Sequence, residues 1–256
     1  MLINKDFFQV YNVVLCLLLL LAGSNGFNAQ NIKADSKTVT VFTSKSAEVV
    51  LTGYIKAIGG KEKISGVKDI AVYLRGKIKS INVKYEIFKK VPDKFLQIIK
   101  LGGEEQKTVY NGKTGNAYSA NQVEILSGKR LEILKIRAIM FPEFEYKKYA
   151  IVPELIGRTQ VGNRSAFKLK FNKAGIEEWY LYFDEVTGLK LKEELTVTTR
   201  KGKFVQVTEF ENYITVDGIK FPGRVIQFLN GNKLVLQVTG IEINTGLNNN
   251  IFSTED

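Results

Sequence analysis

The sequence predicts a mainly β protein, in which a long antiparallel sheet curls into a barrel or half-barrel around an apolar helix. Apolar and polar residues alternate in one run after another, as in "FKLKF" at 167–171, and a period of two is typical of strands with one buried and one solvated face. Turn signals such as Asp217-Gly218 separate these runs. About ten or eleven strands are too many for one flat sheet, so the sheet must curl.

The first segment of the chain is predicted to be absent from the mature protein. Residues 13–21 are an unbroken apolar run, preceded by a lysine and followed by small residues. This order is typical of a secretory signal peptide, and the run is shorter than the about 20 apolar residues that span a bilayer. We predict cleavage after Ala29, with cleavage after Ser24 as the alternative, so that residues 1–29 are the signal peptide and residues 30–256 form one domain.

The composition excludes most nucleophilic and metal chemistry. The only cysteine, Cys16, lies in the predicted signal peptide, and the leucine before it is not the small residue that a lipidated cysteine requires. The sequence contains no histidine, the usual general base near neutral pH and the commonest metal ligand. Ser-His-Asp and Cys-His catalysis are therefore excluded in the mature protein. We predict no catalytic residues, no metal and no cofactor.

The formal net charge of +11 at pH 7 indicates anionic surroundings. Lipid head groups or an acidic partner would supply them, whereas nucleic acid is not an expected partner of an exported protein. The alternative is that the lysines only solvate the outer faces of the strands.

A helix is predicted ahead of the strands, in residues 51–64. Its apolar residues recur at i, i+3, i+4 and i+7 and therefore form one stripe: Leu51, Tyr54, Ile55 and Ile58. Either Ser44 or Ser46 could cap its first turn, and Gly59-Gly60 supplies the left-handed residue that ends a helix. A curled sheet has a concave apolar face that must be covered, so the stripe is predicted to face it. Close packing there would give a core, and looser packing an apolar pocket.

Strand signals follow the helix along most of the chain. Four runs alternate clearly, at residues 83–88, 167–171, 179–183 and 189–197. In the last run, alternation predicts Leu191 and Leu195 on one face and Lys190 on the other.

Turn signals lie between the runs. Two-residue hairpins are predicted where both central residues accept a positive φ: Asn111-Gly112, Asp217-Gly218 and Asn230-Gly231. Further turns are predicted at Gly162-Asn163, Thr187-Gly188 and Lys201-Gly202. Consecutive hairpins make a meander.

One region, residues 127–149, interrupts the alternation. We predict a helix from about Lys129 to Met140 that stops before Pro142, because the residue before a proline disfavours helical geometry. Four aromatic residues follow with two lysines beside them: Phe141, Phe144, Tyr146, Tyr149, Lys147 and Lys148. This segment is either an interfacial lip or a lid over a cavity, or else a buried aromatic corner with two exposed lysines.

The chain contains three pairs of adjacent carboxylates, the residue type that glycosidases use in pairs: Glu104-Glu105, Glu177-Glu178 and Glu193-Glu194. Neighbours on a strand point to opposite faces, so these pairs are not expected to converge on a substrate.

Five motifs follow one another in chain order: "VLTGYIKAIGGKEKISGVKDI", "YEIFKKVPDKFLQ", "GIEEWYLYFDEVTGLKLKEE", "ENYITVDGIKFPGRV" and "IEINTGLNNNIF". Their order resembles the LolA-like, outer-membrane lipoprotein-sorting family and spans nearly all of the predicted mature chain. The resemblance implies an unclosed antiparallel β half-barrel of about eleven strands, with helices covering the concave side. It also implies a location in the periplasm.

The resemblance further implies that an acyl chain of a lipid or lipoprotein lies between the sheet and the helices of a monomeric, non-enzymatic protein. We predict that ten residues line this cavity: Leu51, Tyr54, Ile55, Ile58, Phe88, Phe95, Phe141, Phe144, Trp179 and Leu181. The alternative is an interaction module that fills the space with its own side chains and docks an envelope protein partner through its basic surface.

The resemblance departs from the family at one position. Family carriers have an arginine immediately before the proline of the strand-end motif, and it hydrogen-bonds to the helical lid. In "KKVPDKF" this position is Val91, before Pro92, and Lys90 would point the other way on a strand. The family's arginine gate is therefore not expected here.

Overall fold

The computed structural model describes residues 46–78, 80–120, 122–199, 202–229 and 232–255. The predicted signal peptide, Cys16 and Ser44 lie outside the described residues. No helix within these ranges combines the length and apolar character needed to cross a membrane.

The helices are few and short. They are α1 (Ala47–Ala57), α2 (Lys61–Ser65), α3 (Gly128–Ala138), α4 (Pro142–Glu145) and a 3-10 helix at Asn249–Phe252. The helix predicted at about 129–140 is α3, and Pro142 begins the next helix, where its missing N–H costs nothing.

The strands are β1 (Asp69–Ile78), β2 (Ile81–Lys90), β3 (Lys94–Leu101), β4 (Glu104–Tyr110), β5 (Gly115–Ser119), β6 (Gln122–Ile125), β7 (Val152–Val161), β8 (Arg164–Asn172), β9 (Trp179–Asp184), β10 (Lys190–Thr199), β11 (Gly202–Glu211), β12 (Ile214–Val216), β13 (Ile219–Phe221), β14 (Arg224–Leu229) and β15 (Asn232–Ile243). The four runs with clear alternation are β2, β8, β9 and β10, as predicted. Strands such as β12 and β13, of three residues each, are too short to show alternation.

The main sheet has 13 antiparallel strands in the order β6-β5-β4-β3-β2-β1-β15-β14-β11-β10-β9-β8-β7. The first meander runs from β1 outward to one edge. The chain then crosses through α3 and α4 to the opposite edge, and the second meander returns until β15 pairs with β1. The edge strands β6 and β7 do not pair with each other in this order, so the sheet is an unclosed half-barrel, which confirms the predicted fold class.

The predicted hairpin at Asp217-Gly218 is present, and both residues have positive φ, 50° and 75°. It joins β12 and β13, which form a separate two-stranded sheet rather than consecutive strands of the meander. The turn at Asn230-Gly231 lies outside the described residues, but the flanking strands β14 and β15 pair antiparallel.

Helix α1 begins at Ala47 with Ser46, one of the two predicted caps, as its N-cap residue, although the Ser46 side chain makes no cap hydrogen bond. The helix ends at Ala57, before the predicted residue 64. The two glycines after it have φ of 137° and 90°, and the chain turns there into α2. The backbone leaving α1 meets the β12–β13 hairpin, because the Lys220 N–H donates to the Ile58 carbonyl at 2.7 Å. A Cβ on Gly59 would lie 2.6 Å from the Gly218 oxygen, so this contact requires glycine.

Helix α1 packs on the half of the sheet formed by β8, β9 and β10. The predicted stripe is buried there, and the Tyr54 and Phe183 rings lie 5.1 Å apart between centroids. Helix α3 packs on the other half, where Leu134 contacts a cluster that contains Phe95 and Tyr110. The central strands of the concave face lie between these two covers.

Candidate ligand cavity

The space over the central strands is a cavity of about 360 Å³. This volume is at the lower end of the about 300–1,000 Å³ that small-molecule pockets occupy. Its floor comes from β1, β2, β11, β14 and β15, and its rim from α1, α3 and the start of α4. Most of the lining is apolar and includes Ile70, Val72, Leu74, Leu236, Val238 and Ile241.

The ten residues predicted to line a ligand cavity divide into three groups. Tyr54, Phe95, Phe141 and Trp179 line the cavity. Five others belong to the core cluster beneath α1 or pack against it: Leu51, Ile55, Ile58, Phe144 and Leu181. Phe88 packs in a different cluster with Leu96, Val109 and Phe252, because it alternates with the cavity residues Ile87 and Lys89 on β2.

The aromatic segment after α3 combines both sequence interpretations. Phe141 lines the cavity, whereas Tyr146 packs against the core cluster beneath α1. The Tyr149 hydroxyl donates to the Pro92 carbonyl at 2.6 Å, which fixes the segment to the end of β2. Lys147 is exposed and pairs with a glutamate of α1 at 2.9 Å. The segment therefore contributes one cavity wall and an outer corner with lysines on its surface.

The cavity also contains a buried ion pair that sequence reasoning missed. Lys190 Nζ lies 2.6 Å from Glu143 Oε1 and 4.0 Å from Glu193 Oε2. Glu143 is 2% exposed. Burial alone would lower the pKa of Lys190, but these two carboxylates outweigh it and hold the pKa above its usual value.

Lys190 points into the cavity because the pairing of β10 with β9 shifts register between Lys190 and Lys192. Such a bulge places one extra residue on the strand and changes which face the following side chains occupy. The prediction that Leu191 shares a face with Leu195 is therefore wrong: Leu191 packs with Tyr182, while Leu195 joins the core cluster beneath α1. One extra residue in a strand leaves no distinctive signal in the sequence, so the position of this bulge could not be predicted.

Lys89 is a second cation of the cavity, on β2. Its Nζ donates to the Ile139 carbonyl at the end of α3, at 2.9 Å. Burial lowers the pKa of Lys89 to about 8, although the carboxylates of Glu143 and Glu193 oppose this effect. Lys89 shares a face with Ile87, and this alternation was the signal that could have identified it.

Arg137 enters the cavity from α3. Its Nη2 donates to Gln206 Oε1 at 2.6 Å. Burial lowers the pKa of Arg137, and the carboxylate of Glu193 opposes the change, but an arginine stays protonated in proteins. Within the described parts of the chain, neither Lys89 nor Arg137 has a carboxylate oxygen within 4.0 Å.

Two further polar atoms of the cavity are buried without a hydrogen-bond partner among the described residues. They are the Tyr85 hydroxyl, on a residue that is 2% exposed, and the Gln227 Oε1. Burial raises the pKa of Tyr85, against the opposing charge of Arg137, so the hydroxyl is a proton donor. Native proteins rarely leave such groups unpaired.

The adjacent carboxylates of β10 do not converge, as predicted. Glu193 accepts from Trp179 Nε1 at 2.8 Å at the cavity wall. Glu194 accepts from the Tyr182 hydroxyl at 2.6 Å, in the cluster on the other face. Across the described residues, no group of three or more Asp, Glu, His or Cys side chains could hold a metal ion.

Neither the family models nor the curated proteins searched contain a match to this sequence. Solved structures do match. A LolA superfamily protein from Nitrosomonas europaea is 15% identical, with a TM-score of 0.54 over 82% of this chain and 98% of that chain. A domain named for outer membrane lipoprotein sorting, from Vibrio parahaemolyticus, is 13% identical, with a TM-score of 0.53 over 80% and 97%.

The chain has a LolA-like fold. A DUF1329 family protein from Desulfovibrio piger shares this fold at 12% identity, with a TM-score of 0.54 over 81% of this chain and 96% of that chain. These identities are low, so the likeness concerns the architecture: a half-barrel with helices on its concave side.

The strand-end motif shows how this half-barrel connects its sheet to its helices. Lys90 donates to the Leu247 carbonyl at 2.5 Å, away from the cavity, as its position on the strand predicts. Lys89, two residues before Val91, makes the contact with the end of α3. A cation near the last carbonyls of a helix is favoured by the helix dipole.

Proposed function

We propose that this protein is a non-enzymatic, carrier-like lipid-binding protein of the periplasm or cell envelope. Its ligand is the acyl chain of a lipid or lipoprotein, held between the half-barrel and the helices. The observation that carries the proposal is the apolar cavity on the concave face of a LolA-like fold. The predicted signal peptide supports export of the protein. The sequence contains no histidine, the usual general base near neutral pH, which supports a non-enzymatic role.

The apolar wall suits a hydrocarbon chain. Ile70, Val72 and Leu74 of β1 face the cavity beside Leu236 and Val238 of β15. Each methylene that leaves water for such a surface contributes about 0.8 kcal/mol. A chain of several methylenes therefore binds without a specific polar contact.

The alternative function is an interaction module that docks an envelope protein partner. Exposed apolar residues on both edge strands favour it: Val123 and Ile125 on β6, and Val152 and Ile156 on β7. Unpaired edges of this kind can accept a further strand. The cavity argues against the self-filled form of this alternative, because side chains leave about 360 Å³ open.

Binding of a neutral fluorescent apolar probe, N-phenyl-1-naphthylamine, tests the proposal. Val238→Phe fills the cavity, and Val205→Phe is the matched control, because Val205 is exposed on β11. We expect the delipidated protein and the control to bind the probe, and Val238→Phe to lose at least tenfold in affinity while keeping its thermal midpoint. Equal binding by both variants would argue against the cavity as the ligand site.

A further inference from the structure

The cavity is not uniformly apolar. It contains three cations, Lys89, Arg137 and Lys190, against two carboxylates, Glu143 and Glu193. Lys190 lies within 4.0 Å of both carboxylates. Lys89 and Arg137 are held only by neutral oxygens among the described residues, those of Ile139 and Gln206. The cavity therefore carries one excess positive charge.

Both cations have unused hydrogen-bond donors. An ammonium has three N–H groups and a guanidinium has five, and each uses one in these contacts. The Tyr85 hydroxyl is a third donor without a partner, on a residue that is 98% buried. A charge buried without a counter-charge is costly, so this arrangement favours an incoming anion.

All three donors line the cavity, and Lys89 and Arg137 meet at the end of α3, where Lys89 donates to the Ile139 carbonyl two residues after Arg137. Tyr85 and Lys89 lie on the same face of β2, about 13 Å apart along the strand at four residues' rise. Arg137 reaches down from α3 and interacts electrostatically with both. The apolar residues of β1 and β15 begin next to this region and continue across the cavity.

We infer that the ligand is a single-chain amphiphile with an anionic head group, a carboxylate or a phosphate, which binds head inward. Lys89 and Arg137 pair with the head group, and the acyl chain lies along β1 and β15. One chain is favoured because the volume is at the lower end of the range for ligand pockets. This inference rests on the proposed function and adds the class of head group and its orientation.

Charge-assisted hydrogen bonds supply the specificity. Bonds to a carboxylate or phosphate from lysine and arginine are about twice as strong as neutral ones. A neutral alcohol of the same chain length gains the apolar contacts but leaves the excess positive charge of the cavity uncompensated. Head-group charge is therefore expected to change affinity at a fixed chain length.

Displacement of N-phenyl-1-naphthylamine from the delipidated mature protein tests the inference with three displacers: dodecanoate, dodecyl phosphate and dodecanol. We expect at least one anion to displace the probe at tenfold lower concentration than dodecanol. The preferred anion distinguishes a free fatty acid from a phosphate-bearing lipid. Anions no better than dodecanol, with the probe bound, would overturn the inference and leave the proposed function standing.

Variants test the two cations. Lys89→Met and Arg137→Met should each reduce the advantage of the anion over dodecanol at least fivefold. Lys89→Arg should keep it, and Lys84→Met, which changes an exposed lysine on the other face of β2, should leave it unchanged. Dodecanol displacement in each variant reports that the cavity is intact. Anion selectivity that survives both methionine variants would overturn the assignment of Lys89 and Arg137, and failure of the wild type to bind the probe would overturn the proposed function as well.

Discussion

At the scale of single residues, Lys89 is expected to make stability depend on pH above neutrality. Its pKa in the folded protein is about 8, against an ordinary value of 10.5, because burial disfavours the charge. Glu143 and Glu193 oppose this effect, and Lys190 and Arg137 reinforce it. Between about pH 8 and pH 10.5, Lys89 is protonated in the unfolded chain but neutral in the folded protein. The free energy of unfolding therefore rises with pH in this range.

The measurement is the free energy of unfolding in urea at pH 7, 8.5 and 10. Relative to Lys89→Met, the wild type should gain up to about 3 kcal/mol between pH 7 and 10, at about 1.4 kcal/mol for each pKa unit. Lys84→Met is the control for an exposed lysine, and it should show no such trend against the wild type. A constant difference between the wild type and Lys89→Met over this range would contradict the lowered pKa.

Glu143 is the second residue with a sharp expectation. Glu143→Gln removes the closer of the two carboxylates that pair with buried Lys190. Breaking a buried pair from one side costs about 3–5 kcal/mol, and the remaining Glu193 should keep the loss near the lower value. Adding Lys190→Met should recover most of it, because the cation that lost its closer partner is removed and Glu193 keeps its hydrogen bond from Trp179. A double variant as unstable as Glu143→Gln alone would rule out this explanation.

At the scale of elements, the core beneath α1 and the cavity share a wall, which includes Tyr54 and Trp179, but differ in most of their residues. Ile55 belongs to the core, whereas Phe141 lines the cavity and is half-buried. Ile55→Ala should therefore cost about 2–5 kcal/mol of stability and leave affinity for N-phenyl-1-naphthylamine unchanged. Phe141→Ala should weaken probe binding more than stability. The reverse pattern in denaturation midpoints and probe titrations would place the cavity beneath α1 instead.

Gly53, inside α1, and Gly59, just after its end, provide a matched pair of sites for substitution by alanine. Gly59 has φ of 137° and lies against the Gly218 carbonyl, so Gly59→Ala should cost more than about 1 kcal/mol. Gly53 lies inside α1 with open space around its Cβ position, so Gly53→Ala should stabilise the protein by about 0.5–1 kcal/mol. Thermal midpoints decide, and equal shifts in the two variants would refute the close approach.

Alternation of apolar and polar residues, and the apolar stripe of a helix, predicted some elements correctly but missed the bulge in β10. Alternation located β2, β8, β9 and β10, and the apolar stripe located α1, because burial imposes a period on each element. The bulge in β10 was not predictable, because one extra residue changes the face of a side chain without changing composition. The inward position of Lys190 depends on it, so the buried ion pair of Lys190 with Glu143 was missed.

At the scale of the whole molecule, the order of the strands in the sheet could not be predicted from alternation and turn signals. Alternation and turns predict a meander, but the pairing of β1 with β15 joins residues such as Ile70 and Ile243 from opposite ends of the described chain. Because β1 and β15 join the two meanders in the middle of the sheet, the chain between the meanders must cross from the edge strand β6 to the edge strand β7. Strand number and the apolar helix predicted a barrel or half-barrel, the order of the five motifs implied its unclosed form, and the structural matches share this fold.

The crossing from β6 to β7 covers the cavity and supplies two of its five charged residues. Helix α3 supplies Arg137, and α4 supplies Glu143, above a floor of central strands that neither α1 nor α3 fills. The binding of an acyl chain in this space is the central claim.

Native mass spectrometry of the protein purified from its own periplasm, followed by extraction and analysis of the bound material, tests this claim most directly. We predict a mature chain that begins at Gln30 or Asn25 and carries one acyl-containing species, with Val238→Phe as the variant that purifies without it. Protein that remains free of lipid through several independent extractions, while the Val238→Phe variant behaves identically, would contradict the claim and favour an interaction module.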